Sequence, residues 1–93
     1  MIIGAVTIRL YAPWVHSLKE KRMVVKSIIA KLQNKFNVSI AEVDEQDTHQ
    51  TIVLGIAYVA GTVTLAYSVI DKVIDFIESN TEAEVMDVQR EIR

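Results

Sequence analysis

Apolar and polar residues alternate from Ile2 to Tyr11. Ile2, Val6, Ile8 and Leu10 fall on one side, and Ile3, Ala5, Thr7, Arg9 and Tyr11 on the other. A period of two is the mark of a strand with distinct faces, and Pro13 ends it. The phase then changes. Leu18, Val25, Ile28, Ile29, Leu32 and Phe36 share one stripe at helical spacing, which predicts a helix to about Lys35. Ser17 and Glu20 open it in the S-x-x-E pattern of a capping box, where each side chain satisfies a backbone N–H at the other residue. Asn34 and Asn37 break the helical period, and Val38 to Val43 reads as a second strand. The polar run Asp44-Glu45-Gln46-Asp47-Thr48-His49 predicts a hairpin connection. A third strand spans about Gln50 to Ala60, with Ile52, Leu54, Ile56 and Tyr58 opposite Val53, Gly55, Ala57 and Val59. Gly61-Thr62 opens a second helix to about Glu78, Asn80 stops it, and Ala83 to Ile92 supplies a fourth strand.

The order β-α-β-β-α-β, with no linker or repeat, predicts one α+β domain over residues 1–93 in the split, ferredoxin-like arrangement. A right-handed crossover makes strands one and two parallel and leaves strand three between them. The expected four-stranded antiparallel sheet therefore has order 4-1-3-2, with both helices on one face. Its other face presents Ile3, Ala5, Val53, Gly55, Ala57 and Val59, where a bare antiparallel sheet normally turns polar. Sheet-on-sheet homodimerisation is the simplest way to cover such a surface, and a ligand slot or a partner protein is the alternative.

Composition sets outer limits. Ninety-three residues, 51% apolar and 24% charged, suit a single core. Without cysteine there is no disulfide, thiolate metal site or thiol nucleophile. The first residues lack the basic segment of a signal peptide, and no apolar run reaches transmembrane length, so a soluble cytoplasmic protein without a membrane partner is expected. The net charge of -2 hides an uneven layout. Residues 17–36 carry Lys19, Lys21, Arg22, Lys26, Lys31 and Lys35 against Glu20 alone, whereas residues 37–93 carry eleven acids against three cations. A basic first helix on an acidic remainder is predicted.

The chemistry follows from that layout. Backbone N–H groups at a helix start, with cations beside them, form a ready anion site, so His16, Ser17, Lys19, Lys21, Arg22 and Lys26 are the candidate contacts for phosphate or RNA. Lys19, Lys21 and Arg22 also oppose the helix dipole, a local cost that hints at function. The fold brings the hairpin to the same end, so Asp44, Asp47 and His49 join them as a possible composite small-ligand site. The alternative is that Lys21 or Arg22 pairs with Asp44 or Asp47 as a surface ion pair worth roughly 0 to 1 kcal/mol. Ser17 lies in no nucleophile elbow, and no Walker, dinucleotide or C-x-x-C fingerprint occurs, so no catalytic residue and no cofactor is expected. The hairpin carboxylates do not follow the EF-hand pattern, so no metal site is expected either. Base stacking on the open sheet, as in an RRM, is disfavoured because aliphatic and small residues hold those positions.

His16-Ser17-Leu18-Lys19-Glu20-Lys21-Arg22 and Phe36-Asn37-Val38-Ser39-Ile40-Ala41-Glu42-Val43-Asp44 resemble the two signature segments of the YlxP-like family. The likeness continues to Val85-Met86-Asp87-Val88-Gln89-Arg90-Glu91-Ile92, so it covers essentially the whole chain. The resemblance implies a small bacterial protein with a ferredoxin-like fold and unknown molecular function, often encoded beside transcription, translation and ribosome-maturation factors. That neighbourhood implies an RNA or ribosome partner by association. Many relatives have a small-residue loop where this chain has Pro13-Trp14-Val15. The expectations are thus a non-enzymatic RNA- or ribosome-associated module, a small-ligand binder or enzyme at the loop end, or a protein-interaction adaptor.

Overall fold

The computed structural model describes residues 1–93. Its elements are β1 (Ile2–Tyr11), α1 (Leu18–Lys35), β2 (Ser39–Asp44), β3 (Thr51–Ala60), α2 (Val63–Asn80) and β4 (Glu84–Ile92). The strands form one sheet in the order β2-β3-β1-β4, with every neighbouring pair antiparallel. This is the expected 4-1-3-2 order read from the other edge, and the fold is ferredoxin-like. Both β1 and β2 run antiparallel to β3, so they are parallel to one another, as a right-handed crossover requires.

Local chemistry sets the element ends. Ser17 is extended and its Oγ accepts a hydrogen bond from Glu20 N at 3.1 Å, capping α1. Only this half of the capping box forms, because the Glu20 side chain stays in solvent. Thr62 Oγ1 accepts from Leu65 N at 3.1 Å and caps α2. That helix runs to Asn80, two residues past the expected end at Glu78, since Asn80 Nδ2 donates to Phe76 O at 2.8 Å within the last turn. The extended backbone of Thr81 is what stops it.

The core lies between the sheet and the two helices. Val6, Ile8 and Leu10 from β1 and Ile52, Leu54 and Ile56 from β3 meet Val25, Ile28 and Leu32 of α1 and Ile70, Val73, Ile74 and Ile77 of α2. Gly4 lets α2 approach β1 closely: a Cβ there would lie 2.8 Å from Ile70 Cδ1 and 3.3 Å from Ala66 Cβ.

One departure from simple alternation matters for the site. The β2–β3 register shifts between Glu42 and Asp44, leaving Val43 as a bulge. Alternation alone places Glu42 and Asp44 on the same face. The extra residue changes the phase, so Glu42 is paired with Leu54 on the helix side while Asp44 is paired with Val53 on the open side.

Candidate functional site

The loop after β1, the start of α1 and the β2–β3 hairpin meet at one end of the sheet, as the topology predicts. What joins them is Lys21. Its position falls on the apolar stripe of α1, four, seven and eleven residues before Val25, Ile28 and Leu32, and it is 1% exposed. Its Nζ lies 2.7 Å from Glu42 Oε2, donates to Thr48 O at 2.6 Å and donates also to Glu45 O. Three ammonium protons thus face three oxygens. Glu42 Oε2 is closed off from solvent and makes no aligned hydrogen bond, so its contact with Lys21 is ionic rather than directional.

This corrects two sequence expectations. Lys21 is not available to a phosphate, because its charge is spent inside the protein. The hairpin partner of the basic helix start is Glu42, not Asp44 or Asp47, because Glu42 keeps the helix-facing phase of Ile40 while the bulge at Val43 turns Asp44 to the open face.

The loop is shaped around the ammonium. Glu45 adopts φ 57°, a left-handed conformation that costs a non-glycine residue roughly 1 to 2 kcal/mol. Asp44 Oδ1 accepts from Glu45 N at 2.8 Å, and Glu45 O accepts from Thr48 N at 3.0 Å. A second tie joins the hairpin to the β1–α1 loop. Gln50 Nε2 donates to Pro13 O at 2.9 Å, and Ala12 N donates to Gln50 O at 2.8 Å. The loop end is therefore one connected platform.

Around this platform His16, Lys19, Arg22, Lys26, Asp47 and His49 are all exposed, and Ser17 is half-buried in its capping role. No three of the His, Asp and Glu side chains converge to hold a metal ion. The Asp44, Asp47 and His49 set is not drawn into a cavity with the helix start. The largest clefts lie elsewhere, along the outer seam between α1 and α2. One of about 360 Å3 is lined by Trp14, Met23, Lys31 and Glu82 among others, and one of about 310 Å3 by Lys35, Phe36, Lys72 and Phe76 among others. Lys35 Nζ stands 5.6 Å above the Phe76 ring, which meets Phe36 edge-on.

Charge is distributed as the chain order predicts, and the ion pairs sharpen it. There are three: Lys21 with Glu42, Arg90 with Asp71 at 3.3 Å, and Arg93 with Glu91 at 2.9 Å. Lys19, Arg22, Lys26, Lys31 and Lys35 have no carboxylate partner. In the exposed Arg93 pair, the hydrogen bond and then the charge of Arg93 hold the Glu91 carboxyl below its ordinary range, and the same contact raises Arg93. The resulting stabilisation is present above the ordinary glutamate pKa and is lost as pH falls through the lowered one.

Five residues of this site, His16, Lys19, Arg22, Lys26 and His49, are exposed cations or histidines that sequence reasoning already singled out. It missed Glu42, whose signal was a charged residue in the apolar phase of a strand, alternating with Val38 and Ile40. It also misassigned Lys21, whose signal was a lysine in the apolar phase of a helix.

Comparison with known proteins agrees with this architecture. A de novo designed protein with a ferredoxin fold, known from solution NMR, superposes with a TM-score of 0.61 at 20% identity, covering 100% of this chain and 86% of the design. A second design, Foldit4, gives 0.51 at 9% identity over 99% and 94% of the two chains. At such identities only the fold is shared. The uncharacterized protein YlxP of Bacillus subtilis (strain 168) is 47% identical over 68 residues, which is 73% of this chain and 74% of that one. The family described as "Protein of unknown function (DUF503)" matches residues 3–90. By both measures the chain belongs to the DUF503 family, the YlxP-like proteins.

Proposed function

We propose that this protein is a non-enzymatic binding module that engages RNA phosphates through the flank of α1 carrying Lys19, Arg22 and Lys26. The observation that carries this reading is the unpaired state of those cations. All three are exposed, none has a carboxylate partner, and the one helix-start cation that does have a partner is the buried Lys21. The bland alternative, in which hairpin acids neutralise the helix start, accounts for Lys21 only.

Lys19, Arg22 and Lys26 lie at i, i+3 and i+7, a span of about 10 Å along the helix axis. That length exceeds one phosphate group and suits consecutive phosphates of a strand. Six of the twelve acids lie on α2 (Asp71, Asp75, Glu78) and along β4 (Glu84, Asp87, Glu91), whereas Glu20, Asp44, Glu45 and Asp47 stand at the helix-start end without an ion pair to Lys19, Arg22 or Lys26. The small-ligand or enzyme reading has no enclosed cavity at the loop end to support it.

Each neutralised phosphate releases counterions, so affinity for single-stranded RNA falls with salt at a slope near -0.7 per contact. Replacing Lys19, Arg22 and Lys26 together with Gln is expected to flatten that slope by about 2 units. Fluorescence anisotropy of a labelled RNA oligonucleotide across a salt series measures it. The melting temperature should hold or rise slightly, because charges unfavourable to the helix dipole are removed. RNA affinity that is absent, or unchanged in the triple variant, overturns the proposal.

A further inference from the structure

The sheet face turned away from the helices has no partner within the chain, and it carries both a depression and raised side chains. Ala5, Gly55 and Ala57 share this face near the centre, where the register aligns Ala5 with Ala57 and Thr7 with Gly55. With no side chain larger than a methyl at these three positions, they floor a shallow trough of about 280 Å3. Two valines stand proud on the same face, Val59 opposite Ile3 at one end and Val43 beside Gly55 on the β2 edge. Val59 is 62% exposed, and Val43, which the bulge lifts over Gly55, is 52% exposed. An isologous interface needs both a depression and a ridge on one surface, since each copy supplies the counterpart of the other. Both are present here.

The area is sufficient. The strands are 10, 6, 10 and 9 residues long. At about 3.3 Å per residue and about 4.8 Å between strands, their face spans roughly 550 Å2. That is about one-tenth of the 5584 Å2 surface of the chain, the share a specific interface commonly takes. Two copies together cover about 1,100 Å2, above the roughly 1,000 Å2 that separates a specific contact from an adventitious one. Polar groups surround the small-residue centre, with Asp87, Gln89 and Glu91 on β4, Arg93 beside the trough, and Arg9 of β1 between Val53 and Asp87.

We infer that this protein associates with a second copy of itself, open sheet face against open sheet face, with the exposed valines of each copy seated against the small-residue trough of the other. One refinement of the sequence reading follows. Val53 is on this face but 4% exposed, already covered within its own chain, so it supports the interface without contacting the partner.

Sedimentation velocity of the full chain at tens of micromolar tests the inference, with a dimer as the expected result. Val59→Glu and Ala57→Glu should each weaken association at least tenfold while far-UV circular dichroism stays as in the unmodified chain. Val59 is largely exposed, so its variant decides the matter should Ala57→Glu fail to fold. A second readout uses the absence of cysteine. Thr7→Cys on the open face should cross-link two copies through a short bismaleimide, whereas Lys72→Cys on α2 should not. A monomer at tens of micromolar, a Val59→Glu variant as dimeric as its parent, or cross-linking through Lys72→Cys in place of Thr7→Cys overturns the inference.

Discussion

At the scale of single residues, Lys21 has the greatest consequence. A lysine usually sends its ammonium to water along the surface. Here the stem follows the apolar stripe of α1, and the head is received by Glu42 and two hairpin carbonyls. Removing one partner of a buried pair leaves the other uncompensated, which costs about 3 to 5 kcal/mol when both are fully enclosed. Glu42 retains 18% side-chain exposure, so the lower part of that range applies. Lys21→Met is therefore expected to destabilise the fold by about 3 kcal/mol in urea titration, and Lys21→Met with Glu42→Leu should recover part of the loss. The same Lys21→Met change should leave the salt slope of RNA binding unaltered, in contrast to the exposed Lys19, Arg22 and Lys26. A flattened slope in Lys21→Met would show that the clamp, not the exposed flank, governs binding.

At the scale of elements, the two helices are held differently. α2 lies close on β1 and β3 through Ala66, Ile70, Val73, Ile74 and Ile77, and the lack of a Gly4 side chain sets its distance. α1 instead lies over β2 and beside α2, where its contacts are Val25, Ile28, Leu32 and the Lys21 clamp. Adding bulk at Gly4 must push α2 away or force Ile70 from its rotamer, because Ala66 leaves no second direction. Overpacking of this kind costs typically 1 to 3 kcal/mol. Gly4→Val should lower stability by about that amount in thermal melts, whereas Ser27→Val on the exposed face of α1 should change it by less than about 0.5 kcal/mol. An unchanged melt for Gly4→Val would mean that the close approach of α2 is not a constraint.

For the whole molecule, the two proposed surfaces are separate. The cationic flank belongs to α1 above the β2 side, and the self-association surface is the opposite face of the sheet. Their functions should therefore be separable. The Lys19, Arg22 and Lys26 triple Gln variant is expected to keep the dissociation constant of the dimer within about twofold. Val59→Glu should keep the per-site affinity for a short RNA within about twofold, once avidity is excluded by using an oligonucleotide too short for two sites. Analytical ultracentrifugation and anisotropy on both variants measure the two quantities. Strong cross-effects would mean that the sheet face and the helix flank act as one surface.

The chain pattern by itself determined the element order, the helix starts at Ser17 and Thr62 and the sheet order. Periods of two and 3.6, caps and turn residues are local properties, and the crossover rule leaves one arrangement for this order. The two designed proteins at 20% and 9% identity share the fold because pattern, not particular residues, specifies it. Charge segregation and the exposed Lys19, Arg22 and Lys26 flank were legible for the same reason. Lys21 and Glu42 each stand in the apolar phase of their element, but tertiary structure alone decided that they meet and that Asp44 turns away. A bulge at Val43 shifts the phase of β2 by one residue, and no local signal in Glu42-Val43-Asp44 announces it. Only the packing of α1 over β2 makes one lysine of the basic cluster a structural cation and leaves its neighbours free, since burial depends on contacts between residues far apart in the chain.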